Sequence, residues 1–196
     1  MANGTEQKHT ALFGRSPEAV LSAPGRTELC GNHTVIAAAI RRSITAAVSP
    51  RADGKCLLHT DTGAFEVSLS TLAPAQGERG ASAALVRGVA EYFAAHSLNI
   101  GGFNAAIESD IPIGSGVSSS AAFEVLIGRI FNALYNNGSA EPMTIALAAQ
   151  YAENAHFGKP CGLMDQAACA LGGVQFIDFF DNAAPNVSAL EWPFTN

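Results

Sequence analysis

The sequence predicts an α+β domain, and three observations predict it. Strand-like and helix-like segments mix without the strict alternation of a doubly wound sheet. Apolar residues run or alternate through the first seventy positions and then recur at helical spacing. A loop rich in glycine and serine joins a strand-like segment directly to a strongly apolar helix.

In order, Ala37 to Val48 is rich in Ala, Ile and Val and ends at Ser49-Pro50, which suits buried strands. Lys55 to Thr60 and Ala64 to Leu69 flank Asp61-Thr62-Gly63 as a hairpin. Ser70 to Gly80 holds Pro74 and two glycines and reads as a surface loop. Leu85, Val89, Tyr92 and Phe93 share a helical face that ends near Ser97, and Phe103 to Ile107 is a strand. Phe123, Ile127, Ile130, Phe131 and Leu134 form a second helical face, stopped by Asn136-Asn137-Gly138. Pro142 opens a third helix that runs to about Phe157, with Gly158 as its stop. A short helix over Leu163 to Leu171 and a strand over Val174 to Phe179 follow. The tail from Asp181 onward, with its lone Trp192, shows no closing element.

With 48% apolar and 14% charged residues, the 196-residue chain has enough apolar material for a packed core. A net charge of -6 gives no basic footprint for nucleic acid. No stretch reaches the roughly 20 apolar residues of a membrane span, and the polar start lacks a signal-peptide core. The four cysteines include no C-x-x-C pair and read as free thiols, so the expected compartment is cytoplasmic. Cys161, Cys169 and His156 lie close in sequence, but their spacing fits no familiar zinc pattern.

Chemistry concentrates in Asp110-Ile-Pro-Ile-Gly-Ser-Gly-Val-Ser-Ser-Ser-Ala-Ala122. Gly114 and Gly116 let the backbone approach a ligand without a Cβ in the way, and the serines feed a helix start whose free N–H groups suit phosphate. No Gly-Lys-Ser/Thr follows, so this is not a Walker A loop. Read from the residues alone, N-capping serines or a simple linker compete with the phosphate reading.

The run Pro-x-Gly-x-Gly-Val-Ser-Ser-Ser-Ala-Ala resembles the phosphate loop of the GHMP small-molecule kinases. Ala23-Pro-Gly-Arg-Thr-Glu-Leu-Cys-Gly-Asn-His-Thr34 resembles the signature of the galactokinase branch. Tyr151-Ala-Glu-Asn-Ala-His-Phe-Gly-Lys-Pro-Cys-Gly-Leu-Met-Asp-Gln166 resembles the segment carrying that branch's catalytic aspartate. The resemblance implies a GHMP kinase N-terminal domain, ribosomal protein S5 domain 2-like, with a mixed sheet and helices on one side. It implies an N-terminal extension over 1–22, the domain over 23–180, and over 181–196 the start of a link to a further domain. It also implies transfer of the ATP γ-phosphate to the anomeric hydroxyl of galactose, with ATP and Mg²⁺ as cofactors and no nucleic-acid or membrane partner. By resemblance Asp165 stands beside that hydroxyl and Arg26 stabilises the carboxylate and the phosphoryl group. Gly114, Ser115, Gly116, Val117, Ser118, Ser119 and Ser120 hold nucleotide, Ser120 and Glu153 hold the metal, and Asn32, His33, Thr34 and Gly162 surround the sugar.

Two departures stand beside the match, an altered sugar segment and a chain that stops before the C-terminal domain family members carry, and together they lead to the expectation that transfer is impaired in this chain. Where galactokinases continue after His-Thr with an aspartate and a short turn, His33-Thr34 runs directly into Val35-Ile36-Ala37. Asn32 also replaces the glutamate that many members carry. A sugar site selects by pairing buried polar groups with hydroxyls, so a lost acceptor costs affinity and selectivity together. The alternatives are a catalytically silent, nucleotide-holding relative and a GHMP kinase for another small alcohol.

Overall fold

The computed structural model describes residues 2–112, 114–181 and 185–191; Trp192 lies outside them. A helix, α1 (Ala2–Phe13), precedes four strands: β1 (Ala19–Gly31), β2 (Thr34–Arg51), β3 (Lys55–Thr60) and β4 (Gly63–Ser68). Then come α2 (Ser82–Ala95), β5 (Gly102–Ser109), α3 (Ser119–Tyr135), α4 (Pro142–Tyr151), α5 (Met164–Leu171), β6 (Val174–Asp178) and β7 (Asn186–Leu190).

The strands form one seven-stranded sheet, ordered β4-β3-β5-β2-β6-β7, with β1 antiparallel to β2. β3 and β5 run parallel and the remaining pairs antiparallel, so the sheet is mixed. The Ala-rich run is a single 18-residue strand, long enough to pair with β5 through its C-terminal half and with β6 through its N-terminal half. Its alternation divides two environments. Ala46 and Val48 join the core beneath the helices, while Ser49, also fully buried, faces the other way.

Helices α2 to α5 cover the first face. Phe131 of α3 sits at the centre of that core, its ring 5.9 Å from Phe93 of α2 and 5.5 Å from Phe103 of β5. The helix opened by Pro142 changes pitch at Ala152 and finishes as a π-helical turn over Ala152–Phe157, stopped by Gly158 at φ 84°. That wider turn carries Glu153 and His156 inward.

The expectation of helices on one side holds for α2 to α5, whereas α1 lies against β2 and β5 on the opposite face. Among the described residues its buried side chains are Thr5 and His9, spaced i, i+4 and both polar, so no apolar stripe announced the helix. Thr5 donates to Glu108 at 2.7 Å, Lys8 pairs with Asp61 at 3.1 Å, and the His9 ring bonds Ser49 Oγ and the Arg15 carbonyl, both at 3.1 Å. Burial holds the His9 imidazole below its ordinary value, so the neutral ring is the form the packing favours. The residues expected as an N-terminal extension are therefore built into the fold, and β1 already begins at Ala19. At the other end β7 pairs with β6 in register, so the sheet extends past residue 180.

Candidate active site

β1 carries Arg26 to the centre of the site, and α5 carries Asp165 in its first turn. The guanidinium donates through Nε to Asp165 Oδ1 at 2.7 Å and through its second nitrogen to Oδ2 at 2.9 Å, a bidentate fork. Burial opposes the charge on Arg26, but Asp165 outweighs it and holds the guanidinium above its ordinary value. With side chains 15% and 33% exposed, the pair is open enough to meet a ligand.

The glycine-serine loop is fastened to the same pair. Arg26 NH1 donates to the Gly116 carbonyl at 3.2 Å, the Arg26 backbone N–H to the Val117 carbonyl at 3.1 Å, and Ser118 Oγ to Asp165 Oδ2. Gly114 and Gly116 adopt φ of 75° and 74°, as the sequence reading requires. Ser118 adopts φ 59° without being glycine, a strained backbone of the kind that surrounding contacts must hold. Ser119 and Ser120 then open α3.

Gly25, which the sequence reading passed over, sets how closely loop and strand approach. A Cβ there would stand 2.8 Å from the Val117 carbonyl oxygen, backbone against backbone. Gly25→Ala is expected to lift the loop and to weaken binding of an ATP analogue at least tenfold, about 1.4 kcal/mol. Titration calorimetry on the variant checks it, and unchanged affinity would show that the loop's seat on β1 is dispensable.

Beside this centre lies a cleft of about 560 Å³. Asn32, His33 and Gly162 line it together with Glu28, Gln150 and Cys161. Thr34 points elsewhere, its hydroxyl reaching Asp178 of β6 at 3.4 Å. The β1–β2 connection is a tight hairpin: Gly31 pairs with Val35, and the Asn32 N–H donates to the Thr34 carbonyl at 3.2 Å. No turn intervenes where galactokinases insert the aspartate.

Glu153 is buried, with Oε1 on Lys159 at 3.0 Å and Oε2 on Gln166 at 2.9 Å. The same Gln166 amide donates to Glu124 Oε2 at 3.2 Å. Glu124 is fully buried on α3, one turn beyond Ser120. Burial, and then the charge of Glu153, push its carboxyl up to about 9. This acid-amide-acid bridge was missed by the sequence reading. Its signal was a lone glutamate among the apolar residues of α3, immediately C-terminal to the core residue Phe123.

Two family profiles match the chain: the GHMP kinases N terminal domain over residues 84–173 and the galactokinase galactose-binding signature over 7–50. Galactokinase of Chloroflexus aurantiacus is 37% identical over 82% of this chain and 42% of its own length. That of Streptomyces coelicolor is 36% identical over 92% and 49%. The chain therefore spans about half the length of these relatives. Among solved structures, Lactococcus lactis galactokinase complexed with galactose superposes with a TM-score of 0.82 at 25% identity, covering 97% of this chain and 52% of that one. Methanococcus jannaschii mevalonate kinase, at 19% identity and a TM-score of 0.70 over 90% of this chain and 56% of its own, shares the fold. The strand-loop-helix clamp around Arg26 and Asp165 is thus set in a chain that matches the GHMP kinases N terminal domain and aligns over most of its length with about half of a galactokinase.

Proposed function

We propose that this chain supplies the nucleotide loop, the catalytic pair and the sugar cleft of a cytoplasmic, ATP-dependent galactokinase. One observation carries the reading: the Arg26–Asp165 fork is fastened at once to the phosphate loop and to the helix that borders the cleft. Phosphoryl transfer asks a protein for positioning and for cations on the spreading charge, more than for covalent chemistry. Arg26 provides such a cation, and Asp165 accepts or orients the proton of the anomeric hydroxyl. The backbone from Gly114 to Ser120 cradles the phosphates at the start of α3.

The residues present fit a magnesium ion. Ser120 offers a hydroxyl and Glu153 a carboxylate, both hard oxygen donors, and nucleotide phosphates complete such a shell. When bound, the metal neutralises charge on the phosphates. Lys159 and Gln166 hold the Glu153 carboxylate in one orientation for that task.

The second reading is a nucleotide-holding relative without turnover, and the tight β1–β2 hairpin favours it. A coupled ADP-release assay with galactose, run beside titration with an ATP analogue, separates the two. Galactose-dependent ADP release supports the kinase. Analogue binding without any turnover supports the silent relative, and neither signal sinks both.

A further inference from the structure

We propose that Glu28 is a specificity residue of the cleft, accepting a hydrogen bond from a sugar hydroxyl in place of the aspartate missing after Thr34. The proposal rests on the reading of the cleft as a sugar site and names a residue to which the galactokinase pattern gives no such role.

The sheet register aims Glu28 inward. Residues directly opposite in an antiparallel pair share a face. Arg26 stands opposite Ala39, Glu28 opposite Ala37 and Gly31 opposite Val35, so all three lie along the face that carries the Arg26–Asp165 pair. The register shifts between Glu28 and Cys30, an irregularity of the kind that re-aims side chains at the rim of a site. Among the described residues Glu28 is the only carboxylate lining the cleft, which it shares with Asn32, His33 and Gly162. Its charge is felt at the Arg26 guanidinium, yet among the described residues its carboxylate makes no hydrogen bond or ion pair of its own.

A carboxylate facing a cleft with its oxygens free is an acceptor awaiting a donor. The closed hairpin makes that vacancy meaningful. With Gly31 at φ 133° and Val35 paired directly across from it, no inserted residue can reach in from the β1–β2 turn. Glu28 reaches the same cleft from the strand itself, two residues beyond Arg26. A ligand bearing several hydroxyls meets there one charged acceptor, flanked by the amide of Asn32 and the imidazole of His33.

The test is galactose binding to the 196-residue chain, measured by titration and by saturation-transfer NMR, in the parent and in Glu28→Gln. The exchange keeps shape at an exposed position and removes only the charge. The expected result is affinity about tenfold weaker, the difference between a hydrogen bond to a charged acceptor and one to a neutral amide oxygen. A panel of 2-, 4- and 6-deoxygalactose then identifies the hydroxyl. One deoxy sugar should bind the parent more weakly than galactose does, and Glu28→Gln should narrow that difference for this sugar alone. Equal galactose affinity in parent and variant overturns the role of Glu28 and leaves the sugar cleft standing. Absence of saturable galactose binding in the parent, with ATP-analogue binding intact, overturns the sugar cleft and this proposal together.

Discussion

On the proposed reading, exchanging Asp165 for asparagine is expected to lower any galactose-dependent phosphoryl transfer by about 10²–10⁴-fold, the range of a positioned proton acceptor, and to leave the circular dichroism spectrum unchanged. The carboxylate accepts both arms of the Arg26 fork, at 2.7 and 2.9 Å, together with the Ser118 hydroxyl. Asparagine keeps one acceptor oxygen and turns an NH₂ group toward a guanidinium that also only donates. On the proposed reading Arg26 is then free to drift from the phosphate path, and the hydroxyl loses its proton acceptor. Stability changes far less. The Asp165 side chain is one-third exposed, so solvent screens the ion pair, and the helix-dipole contribution is only about 0.3–1 kcal/mol. Arg26→Lys is the informative companion, because it keeps the charge and loses the fork. ADP release within a few-fold of the parent in Asp165→Asn, with the spectrum unchanged, would make Asp165 a structural residue.

The pairing of activity loss with an intact fold follows from how the site is built. α5 is held by Ala167, Ala168 and Cys169, all fully buried, and not by its first-turn acid. One backbone bond, from the Arg26 N–H to the Val117 carbonyl, ties the loop to β1 without using the carboxylate. The Asp165 carboxylate is therefore mounted on a helix whose packing does not depend on it, although the loop loses the Ser118 bond.

How much of this was legible in the sequence depended on whether the signal was apolar. α2, α3 and the strands of the core announced themselves through buried Leu, Ile, Val and Phe at the correct period. α1 did not, because the face it buries consists of Thr5 and His9, whose partners Glu108 and Ser49 are separated from them by 103 and 40 positions. β7 escaped for the opposite reason: only Val187 and Leu190 are even partly covered, so its alternation is faint. At the site, resemblance marked Arg26, Asp165 and the loop, and the fold brings them into contact. It could not mark Glu28 or Gln166. Their significance is spatial: a register that turns one toward the cleft, and an amide that bridges two acids 29 residues apart in sequence, at 3.2 and 2.9 Å.

Glu124→Gln is expected to stabilise the domain at alkaline pH and to change little near pH 4. Glu124 is fully buried, and burial together with the charge of Glu153 raises its carboxyl from an ordinary 4.5 to about 9. The sign follows from proton counting. Below pH 4.5 folded and unfolded chains both carry the proton, so the group contributes no pH dependence. Between 4.5 and 9 the unfolded chain releases the proton while the folded chain keeps it, so stability falls as pH rises, by about 1.4 kcal/mol per unit from this group. Above 9 both forms have lost it and the slope vanishes. Glutamine has the shape of the protonated acid and nothing to titrate, so the variant escapes this slope. At pH 8 the difference is on the order of 3–5 kcal/mol. Glu153 stays with Lys159 and Gln166 in either case, so its own contribution cancels to first order in the comparison. Urea denaturation of parent and variant from pH 4 to pH 9 reads the effect as two curves that converge in acid and diverge in base. Parallel curves would mean that Glu124 is ionised in the fold, its charge carried by the Gln166 amide and the Lys159 ammonium. The bridge between α3 and α5 would then be an anionic pair and not an acid beside a carboxylate.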